Sequence, residues 1–576
     1  MRSILREGRN WKVASAPDGT LVSSIQASLS CSHAFAELLA MRGGVNWGAL
    51  IDPDLRSLHP PFSMRGMDAA VSRLERAIAG KEHIFIHGDF DADGLTGAAV
   101  LYRGLRPLLP QNCVKVDVGD RSRGHGLSHA FVFRAINEAF SLVITVDCGI
   151  SNISEIQQLA DASIDTIVTD HHVPQEELPR ATAILDPHQA ADAYANPDLA
   201  GVGVAFKLIC GLYERLGHPM PMHLLDLVGL GTIADLVPLS RDGESENRAI
   251  VREAFAQMAK DNGSSLGYRV LCEKLSVNPK RISTTDIGYL IAPKLNAANR
   301  AGDPKVAFLL LITEDKDQAE YLAEILLDYN RDREIAQSDL IAQAEEQIRE
   351  NRLSPSQDGL VFLVGEYWNE GILGLVASNL ADRFHVPAVV LSKGDRVSRG
   401  SCRSVGSFDI NACLAAHQQL LLRFGGHRMA AGFSVANEDL EALEEQLYRY
   451  VETRREDMES RAPETIDTTL DLQDLDLRMF TNVTSLGPFG PGNPEPNFLV
   501  ADCGFADLTL VGSRKQHVKG RIVQHGHSIP FIAFRKAKHL DQFEQSEGLH
   551  VVGKVGFDDW RNDVQIQGLD LVEADG

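Results

Sequence analysis

A chain of 576 residues is too long for one ordinary hydrophobic core and long enough for two to four domains. Its 44% hydrophobic and 23% charged content is that of a globular protein, and apolar runs such as Leu142 to Val146 are too short to cross a bilayer, so no membrane association is expected. A net charge of −23 excludes a protein that coats nucleic acid indiscriminately, because phosphate binding rests on Lys and Arg releasing counterions.

Residues 1–50 read as a small, partly helical lead-in without the apolar stretch of a secretory signal, which places the protein in the cytoplasm. Residues 51–314 follow as the first α/β domain. In it the β-rich runs Ile84 to Ile86, Val114 to Val116, Leu142 to Val146 and Thr166 to Val168 alternate with helical patterns, which predicts a largely parallel sheet. Residues 315–351 carry Leu322, Ile325, Leu326, Tyr329, Ile335, Leu340, Ile341 and Ile348 at helical spacing amid dense charge, and predict one or two long connecting helices. A second α/β domain is expected over 352–460. From 461 to 576, the turn cluster Gly487 to Pro494 and short alternating strands predict a small OB-like β-barrel. The fold class is therefore α/β: two α/β domains joined by a long helical connector, with a C-terminal barrel. The eight cysteines show no Cys-x-x-Cys spacing and are expected to be reduced core residues.

Chemistry concentrates in the first α/β domain. At His87 to Asp93 an imidazole and the carboxylates of Asp89, Asp91 and Asp93 follow an apolar strand. Acids so close repel one another unless cations or protons offset them, which points to a metal. An EF-hand calcium loop is the competing reading, but the apolar segment that follows lacks its glutamate. Asp147 after the next apolar run, Asp170 to His172 after a third, and Asp235 after a short fourth add donors; singly, each reads as a helix cap, a surface turn or a hydrogen-bonding residue. Together they predict a site of carboxylates and imidazoles without thiolate, suited to Mn²⁺ or Mg²⁺, with Zn²⁺ or Fe also compatible. Two such ions would make the chain a phosphoesterase using water as nucleophile.

A basic stretch stands apart. Leu508 to Leu540 contains no Asp or Glu but carries Arg514, Lys515, Lys519, Arg521, Arg535, Lys536 and Lys538, which is either a solvated barrel edge or a nucleic-acid face.

At Asp170-His171-His172 the sequence resembles the DHH phosphoesterase superfamily. The segments His87 to Gly94, Val146 to Ser151, Leu199 to Ala205 and Gly231 to Pro238 are similar to successive motifs of its RecJ family of single-strand-specific exonucleases. So are Pro293 to Arg300, Ser401 to Ser404, Gly425 to Gly432 and Gly490 to Pro496. The two α/β domains would then be the DHH domain and its DHHA1 accessory domain. The resemblance implies His87, Asp91, Asp93, Asp147, His171 and Asp235 as ligands of two Mn²⁺ or Mg²⁺ ions, with Asp147 bridging and Asp89 beside the ligands. It implies that His172 faces the scissile phosphate, that Asp170 orients a ligand histidine through its second ring nitrogen, and that Arg300, Ser401, Arg403, Ser404, Gly426 and His427 meet the substrate.

The implied activity is 5′-to-3′ degradation of single-stranded DNA to mononucleotides, in recombination and repair. The implied protein is a monomer, with a single-strand-binding protein and a recombination helicase as partners. A DHH phosphodiesterase acting on short oligonucleotides or cyclic dinucleotides is the alternative, and a non-catalytic nucleic-acid scaffold a more distant one. The sequence departs from the family in the loop Gly119 to Leu127, where the arginine is displaced and His125 stands for a tyrosine, and at Asn299, a position commonly glycine.

Overall fold

A computed structural model describes the chain except residues 2, 6–9, 54, 56–57, 122–123, 242–245, 261–262, 352, 460–462, 546–547, 559 and 574–576. Ser122 and Arg123 of the departing loop, and the expected domain edges at 352, 460 and 461, lie outside the described residues.

The first α/β sheet comprises β1 (Ile84–Gly88), β2 (Val114–Val118), β3 (Leu142–Val146), β4 (Asp165–Thr169) and β5 (Ala183–Leu185), all parallel and ordered β2-β1-β3-β4-β5. Helices cover both faces, so strands β1 and β3 are mostly apolar, with His87 and Thr145 the polar exceptions, and are buried along their whole length. Strand alternation sends Ile84 and Ile86 into the main core, and Phe85 into a smaller core with Phe131, Phe140 and Val143. The chain passes from β1 to β2 on one side and then crosses to β3 on the other. That reversal opens a crevice between the carboxyl ends of β1 and β3, where parallel sheets bind ligands. Helices α1 (Ala92–Leu105), α2 (Gly201–Arg215), α3 (Leu225–Ala234) and α4 (Ala292–Ala301) surround this end.

One 35-residue helix, α5 (Lys316–Glu350), spans the connector. Asp315 caps its start by accepting from the Gln318 amide at 2.7 Å. Ala319, Leu322 and Leu326 bury against the first domain, and Leu340 and Ala344 against the second, so one helix shares two cores. The second domain orders β6 (Val361–Glu366), β7 (Ala388–Lys393), β8 (Val397–Arg403), β9 (Leu421–His427) and β10 (Ala430–Ala436) as β9-β10-β8-β7-β6, with α6 (Leu373–Phe384) packed on β7 and β8.

The C-terminal strands β11 (Phe498–Val511), β12 (His517–Gln524), β13 (His527–Ala533), β14 (Leu549–Asp558) and β15 (Asp563–Val572) close into a barrel. Their order is β11-β12-β13-β15-β14, with β14 returning to pair with β11. The lead-in joins this domain: Val22, Ile25, Phe35 and Leu38 share a core with Met479, Phe498 and Phe531. Trp11–Val13 pairs in parallel with Glu464–Ile466, and the Trp11 indole donates to Asp570 Oδ2 at 2.8 Å. Arg248 ties the barrel region to the first domain. Its buried guanidinium donates to the carbonyls of Leu50, Ser485 and Gly487, groups at or just beyond helix ends that lack partners within their helices.

All eight cysteines are unpaired, six of them buried. Among the described residues, no helix is long and apolar enough to cross a membrane.

Candidate metal centre

Each strand at the crevice ends in an acid. After β1, Asp91 caps α1, its Oδ1 accepting from the amides of Asp93 at 3.1 Å and Gly94 at 3.2 Å. After β3, Asp147 adopts a left-handed conformation, φ 58°, which short polar side chains tolerate better than most. Asp93 reaches from the first turn of α1 to the start of α2, accepting from the Gly201 amide at 2.6 Å and the Val202 amide at 2.8 Å. The approach requires glycine, because a Cβ on Gly201 would stand 2.6 Å from the Asp147 Cβ. Asp235 follows directly on α3, at the negative end of that helix.

These turns bring ligand atoms together in three overlapping groups: Asp89, Asp91 and Asp147; Asp93, His171 and Asp235; and Asp147, His171 and His172. Within each group the atoms lie within 4.8 Å of one another. His171 Nε2 stands 3.1 Å from Asp147 Oδ1, 3.6 Å from Asp235 Oδ2 and 3.9 Å from Asp93 Oδ2. Burial and the charge of Asp235 push the Asp93 carboxyl up to about 7, and burial and the charge of Asp91 do the same to Asp235. Asp91 is raised by burial and Asp89, and Asp147 well above the usual carboxylate range by burial and the charges of Asp93 and Asp91. Burial also lowers the His171 imidazole, favouring the neutral form that can ligate a cation.

Asp170 differs from the other acids. Burial raises it, but a 2.8 Å contact with His172 Nδ1, the charge of His172 and the Ile150 amide at 2.9 Å outweigh burial and leave it lowered. The same contact holds His172 protonated: burial lowers it, and the bond to Asp170 together with surrounding acids raises it to about 9. Oδ1 of Asp170 also accepts from the amides of His171 and His172, fixing the turn that carries both rings; the ring it orients is therefore that of His172, whereas the expected ligand His171 meets it only through its backbone amide.

His87, expected as a ligand, does not join these groups. It lies on the same face of β1 as Phe85, so strand alternation carries its ring against Phe131, with Nδ1 3.8 Å from Asp117 and Nε2 3.3 Å from the Gly126 carbonyl oxygen. Asp89, expected beside the ligands, stands among them. Its Oδ2 is 2.9 Å from His125 Nδ1, while its Oδ1 is buried without a hydrogen-bond partner among the described residues.

A cleft of about 1020 Å³ between the two α/β domains begins at His125 and is lined by Arg121, Arg300, Arg399, Arg403 and Arg423. Arg300 donates to the Gly371 carbonyl of the second domain at 2.6 Å. Burial and the nearby charges of Arg121, Arg333 and Arg403 lower its guanidinium to about 9, only partly offset by the charge of Asp91. Ser401 and Arg403 line the cleft next to the first turn of α6, within reach of Gly374. Ser404 does not: one residue beyond Arg403, the period-two alternation of β8 turns it inward, and its hydroxyl donates to the Phe408 carbonyl at 2.6 Å. Gly426 and His427, expected at a phosphate, are exposed at the end of the β9–β10 hairpin, whereas Gly425 and Gly432 line the cleft instead.

Three further residues shape the site. Asn296 and Asn299, one turn apart on α4, hold the β1 loop: Asn296 Oδ1 accepts from the Ala92 amide at 2.9 Å, and Asn299 Nδ2 donates to the Phe90 carbonyl at 2.8 Å. Their spacing marks one helical face, but nothing local in sequence names the loop it meets. His125 reaches Asp89 through a tertiary contact equally invisible in sequence. In the barrel, Phe531 is core, Phe505 and Phe557 pack against it, and Trp560 and Phe534 are 97% and 50% exposed.

The residues fit divalent cations. The donors are carboxylates and imidazoles, four carboxyls are raised by burial and by one another's charge, and Asp89 has a buried oxygen without a partner among the described residues. This acidic crevice at a parallel-sheet switch point, opening on an arginine-lined cleft, defines a phosphoesterase of the DHH type. Residues 83–232 match the DHH family N-terminal domain, 357–453 the DHHA1 domain and 466–569 the RecJ OB domain. The chain is 32% identical over 566 residues to the single-stranded-DNA-specific exonuclease RecJ of Bacillus subtilis, covering 97% of this chain and 70% of that protein. It is 31% identical to the Escherichia coli protein of the same name over 516 residues, 85% of this chain and 87% of that one. The crystal structure of Thermus thermophilus RecJ in complex with Mn²⁺ superposes with a TM-score of 0.81 at 28% identity, covering 99% of this chain and 81% of that chain. The chain belongs to the RecJ family.

Proposed function

We propose that this protein is a metal-dependent exonuclease that degrades single-stranded DNA from its 5′ end, releasing mononucleotides. The observation that carries this reading is the junction at His125, where the crowded carboxylates of the crevice meet a cleft lined by five arginines, one of which, Arg399, is paired with Glu370. A phosphodiester seated there places its bridging phosphate at the acids and its neighbouring phosphate among the arginines.

Asp89, Asp91, Asp93, Asp147, His171 and Asp235 would hold two ions, Mn²⁺ or Mg²⁺, with Asp147 and His171 each belonging to two of the three ligand groups. Such ions, when bound, neutralise phosphoryl oxygens and make water a nucleophile at neutral pH. The chain's own residues do the rest. His172, protonated at Nδ1 against Asp170, presents its other ring nitrogen to the phosphate as a donor. Arg300, Arg403 and Ser401 bind the terminal nucleotide's phosphate. The amides of Gly201 and Val202 fix the Asp93 carboxylate so that it cannot rotate out of the centre. The barrel, with Arg514, Lys515, Arg535, Phe534 and Trp560 on its surface, takes the following strand by charge and stacking.

A cytoplasmic monomer working with a single-strand-binding protein and a recombination helicase is the cellular setting this reading entails. The reading is tested by offering 5′- and 3′-labelled single strands, duplex and dinucleotides with Mn²⁺. Mononucleotides released from the 5′ end of single strands support it; equal decay of duplex, or cleavage of dinucleotides alone, overturns it.

A further inference from the structure

The departing loop and the departing helix residue meet. Arg121, displaced in sequence, and Asn299, where glycine is common, are joined by a 3.2 Å hydrogen bond from Arg121 Nε to Asn299 Oδ1. The other end of the same carboxamide donates to the Phe90 carbonyl at 2.8 Å, so both halves of Asn299 are used and its orientation is fixed. The Arg121 guanidinium lies over the Phe90 ring, 4.8 Å from its centroid, and lines the cleft beside Arg300 and His125. Held at Nε by the amide and on one face by the ring, and drawn toward the crevice by the charges of Asp91 and Asp89, it has terminal nitrogens that make no hydrogen bond among the described residues and border the cleft. A glycine at 299 would supply neither the acceptor for Arg121 nor the tie to Phe90.

We propose that Asn299 is a positioning residue that aims Arg121 at a phosphate of the DNA strand lying between the acidic crevice and the other arginines. This rests on the single-stranded-DNA reading above and adds a residue to it.

A double-mutant cycle on the full chain with Mn²⁺ and 5′-labelled single-stranded DNA tests it, using Asn299→Ala, Arg121→Ala and both together. Asn299→Ala is expected to raise KM about tenfold in the parent and to leave KM unchanged in the Arg121→Ala background, whatever its loss of the Phe90 tie does to kcat in both. The same rise in KM from Asn299→Ala in both backgrounds, or no rise in the parent, overturns the proposal. Asn299→Gly serves as the second substitution if the alanine variant lacks a cooperative melt, with the same expected and contrary results. An inactive parent protein would overturn the exonuclease reading and this proposal together; an active parent with additive losses overturns only the role of Asn299.

Discussion

His171 Nε2 lies 3.1 Å from Asp147 Oδ1, joining the end of β4 to that of β3, which borders the crevice where the sheet reverses its order. Asp147 reaches this position only through a left-handed turn that a short polar residue tolerates. Asp147→Asn keeps that turn and removes the charge; it is expected to lower hydrolysis at least about a thousandfold while the metal-free protein melts no lower than the parent. Asp147→Ala should be equally inactive but less stable, by about 1 kcal/mol, because alanine disfavours φ > 0. Near-normal turnover in either variant would remove Asp147 from the centre.

Asp93 and Asp235 are both raised to about 7 in the fold, against about 4 in an unfolded chain. Between these values the native state holds more protons than the unfolded one, so their contribution to stability falls as pH rises through the window. The melting temperature of EDTA-treated protein should therefore drop from pH 5 to pH 8 more steeply than that of an Asp93→Asn, Asp235→Asn double variant. Parallel curves for the two proteins would contradict the raised values.

Ser401 and Ser404 are three residues apart on one motif but face opposite ways. Ser401→Ala is expected to raise KM for single-stranded DNA several-fold at unchanged melting temperature. Ser404→Ala should instead cost about 1 kcal/mol of stability, the worth of its bond to the Phe408 carbonyl, with KM unaltered. Kinetics and thermal melts of the two variants separate the roles; the reverse pattern would mean that β8 is out of register.

Trp560→Ala and Phe534→Ala remove exposed aromatic surface from the barrel. Each is expected to weaken single-strand binding about tenfold, from the roughly 1–3 kcal/mol that stacking on one base supplies. Phe531→Ala, in the core, should destabilise the domain instead. Fluorescence anisotropy with a labelled oligonucleotide, alongside melts, checks both. Unchanged affinity in the first two variants would take stacking out of the account.

The sheet, the connecting helix and the barrel were legible because each follows from local pattern: apolar runs buried on both faces, a 3.6-residue stripe, and alternating strands between turns. The acids were legible for the same reason, since each stands at a strand or helix end. Side-chain direction at the edges of that pattern was harder to read. His87 and Ser404 sit inside or just past a strand, where one residue of register decides between site and core. His125 to Asp89 and Asn299 to Arg121 are contacts between distant segments, which no local pattern encodes. The lead-in appeared separate because its partner strand, Glu464–Ile466, lies at the other end of the chain.

The central claim is that the carboxylates of the crevice hold divalent ions on which hydrolysis of single-stranded DNA depends. It is tested most directly by single-turnover cleavage of a 5′-labelled single strand by EDTA-treated protein, before and after Mn²⁺ is returned, in the parent and in Asp147→Asn. The expected result is no product without metal, 5′-mononucleotide once Mn²⁺ is restored to the parent, and none from the variant under either condition. Cleavage that persists in EDTA, or a variant rescued by Mn²⁺ to the parent's rate, would contradict it.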